Sequence, residues 1–274
     1  MIFEVIKVVL LNIVLTNDDG IHSPGLWQLA DKLKLIGDLT VIVPDRDQSG
    51  MGASMTLLRP LTVNEVAPQV DGISKVYTVD GSPADCVIMA DELLCDHKID
   101  LLVSGINMGA NLGLDIYNSG TFGAALHGYY RGIDSIAVSV EYIDDVIYKP
   151  SALVGASVAL NLLGDTKQRS NLLINLNLPA CDGVDIEGVD ITTLGNKKAY
   201  MESVEAQQHG RRTSYWLRHN NPALSDADEG SDIWAIENNR VSITIIDPMN
   251  VGNHLKKDSH NLVTSAVHSL SGEL

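Results

Sequence analysis

The chain has 274 residues, of which 45% are hydrophobic and 20% are charged, so it is long enough for one large domain or for one domain with an appendage. Its 19 Lys and Arg residues are outnumbered by 35 Asp and Glu residues, which gives a formal net charge of −16 at pH 7. Because no basic stripe is visible, we exclude a nucleic-acid duplex as the main partner. An anionic substrate would need a site at which the negative electrostatic potential of the protein is reversed, and a bound metal ion is the simplest way to provide such a site.

The cysteines and the N-terminal segment bear on the cellular compartment. Three cysteines, an odd number without the spacing of a metal site, predict reduced structural residues in a cytoplasmic protein. The N-terminal segment is not typical of a signal peptide, because Glu4 precedes Lys7 and no small-residue cleavage site follows. The apolar run Val8–Leu15 is too short to span a bilayer, so we expect no membrane partner and interpret the run as a buried strand after a short leader.

Apolar runs typical of strands alternate with helix-like segments up to about Pro179. The predicted strands are Val8–Leu15, Leu39–Val43, Lys75–Val79, Asp100–Ser104, Ser135–Val140 and Leu172–Leu178. The predicted helices begin at Ser23-Pro24, Ser82-Pro83, about Thr121 and about Ser151. Since the strands are uninterrupted apolar runs separated by helices, they predict an α/β fold with a parallel sheet covered on both faces.

The pattern changes after about Pro179. Further strands are predicted at Asp190–Leu194 and, as a hairpin joined through Asn238-Asn239, at Asp232–Glu237 and Arg240–Ile246. The polar segment Ala199–His219 fits a projecting hairpin or arm around Gly210. We therefore predict an α/β core over residues 1–179 that carries the site. We expect residues 180–274 to form a C-terminal extension of the same domain, with an arm for oligomer contacts.

Ligands of an open parallel sheet bind at the carboxyl ends of its strands. Loops rich in Gly, Asp, Asn and Ser follow three predicted strands, at Asp18–Gly20, Pro44–Ser54 and Ser104–Thr121. Asp18 and Asp19 are adjacent like charges beside a buried strand, which is costly unless a cation lies next to them. With the Ser49 hydroxyl and the Asn107 carboxamide oxygen, they suit a hard dication such as Mg²⁺ or Mn²⁺. The alternative is that either aspartate only caps the next helix or shapes the turn.

A second candidate site is formed by Asn118, Ser119, Gly120 and Thr121, directly before a predicted helix. Small residues at a helix entry expose backbone N–H groups to an anion, and the two hydroxyls add donors, so the segment predicts a phosphate site. A plain helix cap is the alternative. Gly50 and Gly52 match a dinucleotide fingerprint only in part, since Met55 stands where a third Gly or Ala belongs. They leave a non-catalytic nucleotide- or metal-binding module open as a rival function.

Five strings together resemble the SurE family of survival-protein nucleotidases, in that family's order from about Asn12 to about Asp247. They are LTNDDGIHSPG, VIVPDRDQSGMGASMTL, VDGSPADCV, DLLVSGINMGANLGLDIYNSGTFGAALHG and SDIWAIENNRVSITII. The resemblance implies a three-layer α/β/α sandwich with a Rossmann-like, mostly parallel sheet and a C-terminal β-hairpin arm. It also implies a metal-dependent phosphomonoesterase that hydrolyses nucleoside 5′-monophosphates and 3′-monophosphates, assembled as a homodimer or homotetramer.

Matched motif by motif, the resemblance implies that one Mg²⁺ or Mn²⁺ per subunit is bound by Asp18, Asp19, Ser49 and Asn107. It implies that Asn118, Ser119, Gly120 and Thr121 bind the substrate phosphate. We predict Asp18 and Asp19 as the catalytic residues, and leave open whether one of them attacks phosphorus or activates water. A phosphatase with a phospho-aspartate intermediate would favour a DxD spacing, which the adjacent aspartates do not have. We expect the translation start near Leu11, and no motif is placed in the tail after Gly252.

Overall fold

The structure is a computed structural model that describes residues 11–73, 75–143, 146–164, 171–181, 185–196, 201–210, 212–220 and 227–250. The expected leader before Leu11 and the tail after Gly252 lie outside these residues. Within them, the strands are β1 (Asn12–Thr16), β2 (Asp38–Pro44), β3 (Val63–Glu65), β4 (Lys75–Val79), β5 (Leu101–Met108), β6 (Asp134–Val140), β7 (Leu173–Leu178), β8 (Gly188–Thr192), β9 (Met201–His209), β10 (Arg212–Asn220) and β11 (Arg240–Ile245). The α-helices are α1 (Pro24–Leu33), α2 (Pro83–Met89), α3 (Gly120–Tyr130), α4 (Lys149–Gly164) and α5 (Asp232–Glu237).

A central sheet of nine strands has the order β3-β4-β2-β1-β5-β6-β7-β11-β8. Its pairs are parallel except at β3–β4 and β7–β11, which are antiparallel. The predicted mostly parallel sheet is therefore confirmed. β8 and β11 come after residue 179 and extend this same sheet, and the boundary proposed at that residue stays a prediction.

Helices cover both faces of the sheet because the inner strands carry buried apolar side chains on both faces. Ile13 and Leu15 of β1 pack into the core beneath α1 and α4, whereas Val14 faces the opposite core beneath α2 and α3. All three side chains are almost completely buried. This alternation follows from the two-residue period of a strand, and it confirms the three-layer α/β/α sandwich.

The predicted hairpin at Asp232–Ile246 is wrong in its first half, since Asp232–Glu237 forms α5 and only the second half forms a strand, β11. Ser231 caps α5, because its hydroxyl oxygen accepts the N–H of Trp234 at 3.2 Å. Ile233, Ala235 and Ile236 are buried, a helical spacing rather than an alternating one. The helix ends before Asn239, whose φ of 53° lies in the left-handed region that Asn tolerates.

β5 is longer than predicted, continuing past Ser104 to Met108. Its register against β6 shifts between Ser104 and Asn107, so the strand bends and then resumes pairing. Asn107 consequently lies at the carboxyl end of an ordered strand rather than in a free loop. This gives the Asn107 side chain a fixed place at the edge of the sheet.

The predicted arm is confirmed as a hairpin of β9 and β10, which pair antiparallel around a turn at Gly210 and form a separate two-stranded sheet. Its apolar side chains Val204, Tyr215 and Leu217 are exposed. No helix among the described ranges has both the length and the apolar character needed to cross a membrane.

Candidate metal and phosphate site

A pocket of about 350 Å³ opens at the carboxyl ends of β1, β2 and β5. Its walls include five of the predicted metal- and phosphate-binding residues, namely Asp18, Ser49, Asn107, Asn118 and Ser119. They come from segments far apart in the chain, and the parallel sheet brings them to one edge. Asp19, Gly120 and Thr121 are not among the residues that line the pocket.

Asp18 is held by the start of α3. Its Oδ1 accepts the hydroxyl proton of Thr121 at 2.5 Å, and Thr121 is fully buried. Gly120 makes this approach possible, since a Cβ there would lie 2.8 Å from the Cβ of Asp18. The single hydroxyl proton of Thr121 is thus committed to Asp18, which differs from the phosphate contact expected of it.

The turn that carries the aspartates is shaped by Asn17, which sequence reasoning overlooked. The Asn17 carboxamide accepts the Gly20 N–H at 3.1 Å and donates to the Gly20 carbonyl at 3.0 Å. Ser23, the N-cap of α1, makes no capping hydrogen bond through its own side chain. The side chain of Asn17 therefore closes the turn, and the side chains of the two aspartates are not needed for this.

Negative charge accumulates at this edge of the sheet. Burial is the main cause that raises the pKa of Asp18, opposed by its hydrogen bonds from Thr121 and reinforced by the charge of Asp47. Burial, followed by the charges of Asp18 and Asp47, raises the pKa of Asp19 to about 7, while a hydrogen bond from Ser23 opposes the rise. A cation bound between these carboxylates would favour their charged forms and so lower the pKa of both.

The two neutral candidate ligands, Ser49 and Asn107, each keep a side-chain oxygen available for a cation. Ser49 donates its hydroxyl to Asp47 Oδ1 at 2.6 Å, which leaves its lone pairs as acceptors. Asn107 donates its Nδ2 to the Gly109 carbonyl at 2.6 Å, so its Oδ1 is the atom left for a ligand. Within the described part of the chain no group of three or more His, Cys, Asp or Glu could hold a metal. A metal here would need such neutral oxygens, and this mixed set fits Mg²⁺ or Mn²⁺.

Ser119 is the N-cap of α3, as in the alternative interpretation, because its hydroxyl oxygen accepts the Phe122 N–H at 3.1 Å. The capping bond uses a lone pair, and the hydroxyl proton is still available to an acceptor in the pocket.

Asn118 accepts the Gly52 N–H at 3.0 Å through its backbone carbonyl, which joins the loop after β2 to the predicted phosphate-binding segment. Gly52 is required there: its φ is 55°, and a Cβ would lie 2.8 Å from the Tyr117 carbonyl oxygen. This close approach explains why position 52, part of the partial dinucleotide fingerprint, is a glycine.

A buried polar network behind the pocket was also missed. Asn111 donates its N–H to Asn177 Oδ1 at 2.8 Å and its Nδ2 to Ser139 Oγ at 2.9 Å. Its carbonyl accepts Nδ2 of Asn175 at 2.9 Å and of Asn177 at 3.0 Å. The signal was present in LLINLNL, where two asparagines at alternate positions interrupt an apolar strand and so face the same side of the sheet.

Asp232 fixes the far end of the same loop. Its carboxylate accepts the N–H of Gly113 and of Gly195, each at 2.8 Å, and it is fully buried. Burial raises the pKa of Asp232, and these hydrogen bonds oppose the rise. The loop after β5 is therefore fixed by polar side chains from β7 and α5, both distant in sequence.

Comparisons with known proteins give one consistent result. The family profile described as Survival protein SurE matches residues 13–201. A protein named 5′-nucleotidase SurE from Dehalococcoides mccartyi is 42% identical over 245 residues, covering 86% of this chain and 88% of the relative. One of the same name from Herpetosiphon aurantiacus is 41% identical over 239 residues, covering 85% and 91%. The crystal structure of the SurE protein from Aquifex aeolicus superimposes with a TM-score of 0.72 at 34% identity, covering 89% of this chain and 98% of that one.

Proposed function

The chain belongs to the SurE family, and we propose that it is a 5′-nucleotidase that hydrolyses nucleoside 5′-monophosphates to a nucleoside and inorganic phosphate. One observation carries this proposal: the two oxygen-rich segments, which include Asp18 and Ser119, line the same pocket. A phosphate bound by the second segment would therefore share the pocket with a cation bound by the first. The relatives of the same name, at about 40% identity, support the same activity.

We propose that Asp18, Asp19, Ser49 and Asn107 hold one Mg²⁺ or Mn²⁺ per subunit. When bound, such an ion neutralises the negative charge of a phosphate oxygen and makes phosphorus more susceptible to attack by water. The two carboxylates balance the charge of a dication, and the neutral oxygens complete the set without adding charge. Asp18 and Asp19 are thus the proposed catalytic residues, acting as ligands of fixed geometry.

The phosphate contacts are assigned to the start of α3. Ser119 donates its free hydroxyl proton to a phosphate oxygen, and the Gly120 backbone and the Asn118 side chain contribute further polar contacts. Thr121 acts on the substrate indirectly, by fixing the orientation of Asp18. In the proposed step water attacks phosphorus and gives up a proton, the phosphorus–oxygen ester bond breaks, and the nucleoside oxygen takes up a proton as it leaves.

We further propose hydrolysis of 3′-monophosphates and assembly into a homo-oligomer. The contacts assigned above are all to the phosphate, so they do not distinguish which ribose oxygen carries the ester. The exposed apolar side chains of the β9–β10 hairpin, among them Trp216 and Leu217, support its use as a contact between subunits.

Release of inorganic phosphate from AMP tests the proposal, measured with Mn²⁺, with Mg²⁺ and with an excess of chelator. We expect the wild-type protein to release phosphate, and an excess of chelator to abolish that release. The Asp18→Asn variant should release no phosphate, although its circular dichroism spectrum should show an intact fold. Asp96→Asn is the matched control, since Asp96 is exposed and pairs with Lys75. Absence of metal-dependent release from several 5′- and 3′-nucleotides would contradict the proposal and favour a non-catalytic binding module.

A further inference from the structure

We propose that Asp47 is a positioning residue that orients the hydroxyl of Ser49 toward the cation. This inference rests on the proposed function, because Ser49 is one of the proposed metal ligands. Asp47 itself has no role in the ligand set given above. Its part is to determine which side of the Ser49 oxygen faces the pocket.

The geometry is that of a short turn closed by a side chain. Asp47 Oδ1 accepts both the backbone N–H of Ser49 at 2.7 Å and its hydroxyl at 2.6 Å. A serine hydroxyl has one proton, so giving it to Asp47 leaves both lone pairs on the other side of the oxygen. Ser49 is exposed, so packing does not fix its rotamer. The hydrogen bond to Asp47 is therefore what selects the orientation.

The rest of the turn is fixed to the site. The intervening residue, Gln48, donates its N–H to the carbonyl of Asp18 at 2.8 Å, which ties the turn to the end of β1. The charge of Asp47 also contributes to the raised pKa of Asp18 and of Asp19. Asp47 thus acts on the site in two separable ways, through a hydrogen-bond acceptor and through a negative charge.

Two substitutions separate these contributions. Asp47→Asn removes the charge but keeps an Oδ1 that can accept both bonds from Ser49, whereas Asp47→Ala removes the charge and the acceptor. Asp45→Ala is the matched control for charge. Asp45 is in the same loop and its carboxylate lies 3.8 Å from Arg46, but it has no hydrogen bond to Ser49 within the described residues.

The experiment is titration of the full chain with Mn²⁺ alone, at fixed pH, with free Mn²⁺ followed by electron paramagnetic resonance. We expect Asp47→Ala to weaken binding by about 10-fold or more, as is usual when the partner of a metal ligand is removed. Asp47→Asn and Asp45→Ala are expected to weaken it by less than about 5-fold, the effect of one exposed charge. In a Ser49→Ala background, the difference between Asp47→Ala and Asp47→Asn should become smaller, because no hydroxyl is left to orient and only the bond from the backbone N–H of residue 49 still distinguishes the two variants.

Equal weakening by Asp47→Ala and Asp47→Asn in the wild-type background would overturn the proposal and leave a role for charge alone. So would a difference between them that is as large in the Ser49→Ala background as in the wild-type background, or an Asp47→Ala protein that binds Mn²⁺ as wild type does. In these cases the wild-type protein still binds Mn²⁺ and the proposed function stands. If the wild-type protein binds no Mn²⁺, the metal site itself is refuted and this inference with it. Thermal unfolding of each variant verifies that the fold is intact.

Discussion

The hydroxyl of Thr121 offers the sharpest test of how the site is built. Thr121→Val replaces the hydroxyl with a methyl group of nearly the same size, so the packing of this buried side chain is preserved. The change removes the bond that Asp18 Oδ1 accepts at 2.5 Å. Thr121→Ser is the matched control, because it keeps the hydroxyl and loses only the methyl group.

The size of the effect follows from the chemistry of that bond. A hydrogen bond to a charged group contributes about 1.5–3 kcal/mol, because the group left behind has no water to replace its partner. Each 1.4 kcal/mol is about tenfold in an equilibrium or rate constant, so we expect Thr121→Val to lower kcat/KM by roughly 10- to 150-fold. Thr121→Ser should retain most of the activity.

The assay is phosphate release from AMP at saturating Mn²⁺, with the melting temperature measured for each variant. A Thr121→Val protein that is folded and more than half as active as wild type would refute the argument that α3 fixes Asp18. A Thr121→Ser protein as impaired as Thr121→Val would show that the methyl group, not the hydroxyl, is the essential contact.

Three further predictions concern the loop supports and the arm. Gly52→Ala places a Cβ 2.8 Å from the Tyr117 carbonyl oxygen and should lower both the melting temperature and kcat/KM. Asn177→Ala leaves the Asn111 N–H without its 2.8 Å acceptor and should destabilise the protein, measured by denaturant unfolding. The cost of such an unpaired buried group is about 1–3 kcal/mol. Leu217→Asp, in the hairpin, should shift the protein to a smaller species in size-exclusion chromatography with light scattering.

Each of these has its own control and its own contrary result. Gly72→Ala is matched to Gly52→Ala: it also has a positive φ, 84°, but open space around the Cβ, so equal losses in both would exclude the close approach as the cause. For Asn177→Ala, an unchanged free energy of unfolding would show that the hydrogen bond from the Asn111 N–H does not stabilise the protein as we describe. Leu35→Asp is matched to Leu217→Asp, since Leu35 is an exposed leucine outside the hairpin, and an identical shift in both would argue against a specific role for the arm.

The sequence alone was sufficient where the information is local. Continuous apolar runs predicted the inner strands, and Ser82-Pro83 predicted the start of α2, where the Ser82 side chain does accept the Asp85 N–H. The failure at Asp232–Glu237 is also local. Alternation and helical spacing are hard to distinguish over six residues, and the Ser231 cap was the signal that distinguished them.

The architecture of the pocket depended instead on partners that no local pattern specifies. Thr121 and Asp18 are 103 positions apart, and Gly113 and Asp232 are 119 apart. The sequence supplied residue types suited to a cation and a phosphate, because charge and hydrogen-bonding capacity belong to each side chain. Which donor meets which acceptor is decided by strand order and helix placement, since a hydrogen bond forms only within about 3 Å and only the packed sheet brings such distant residues that close.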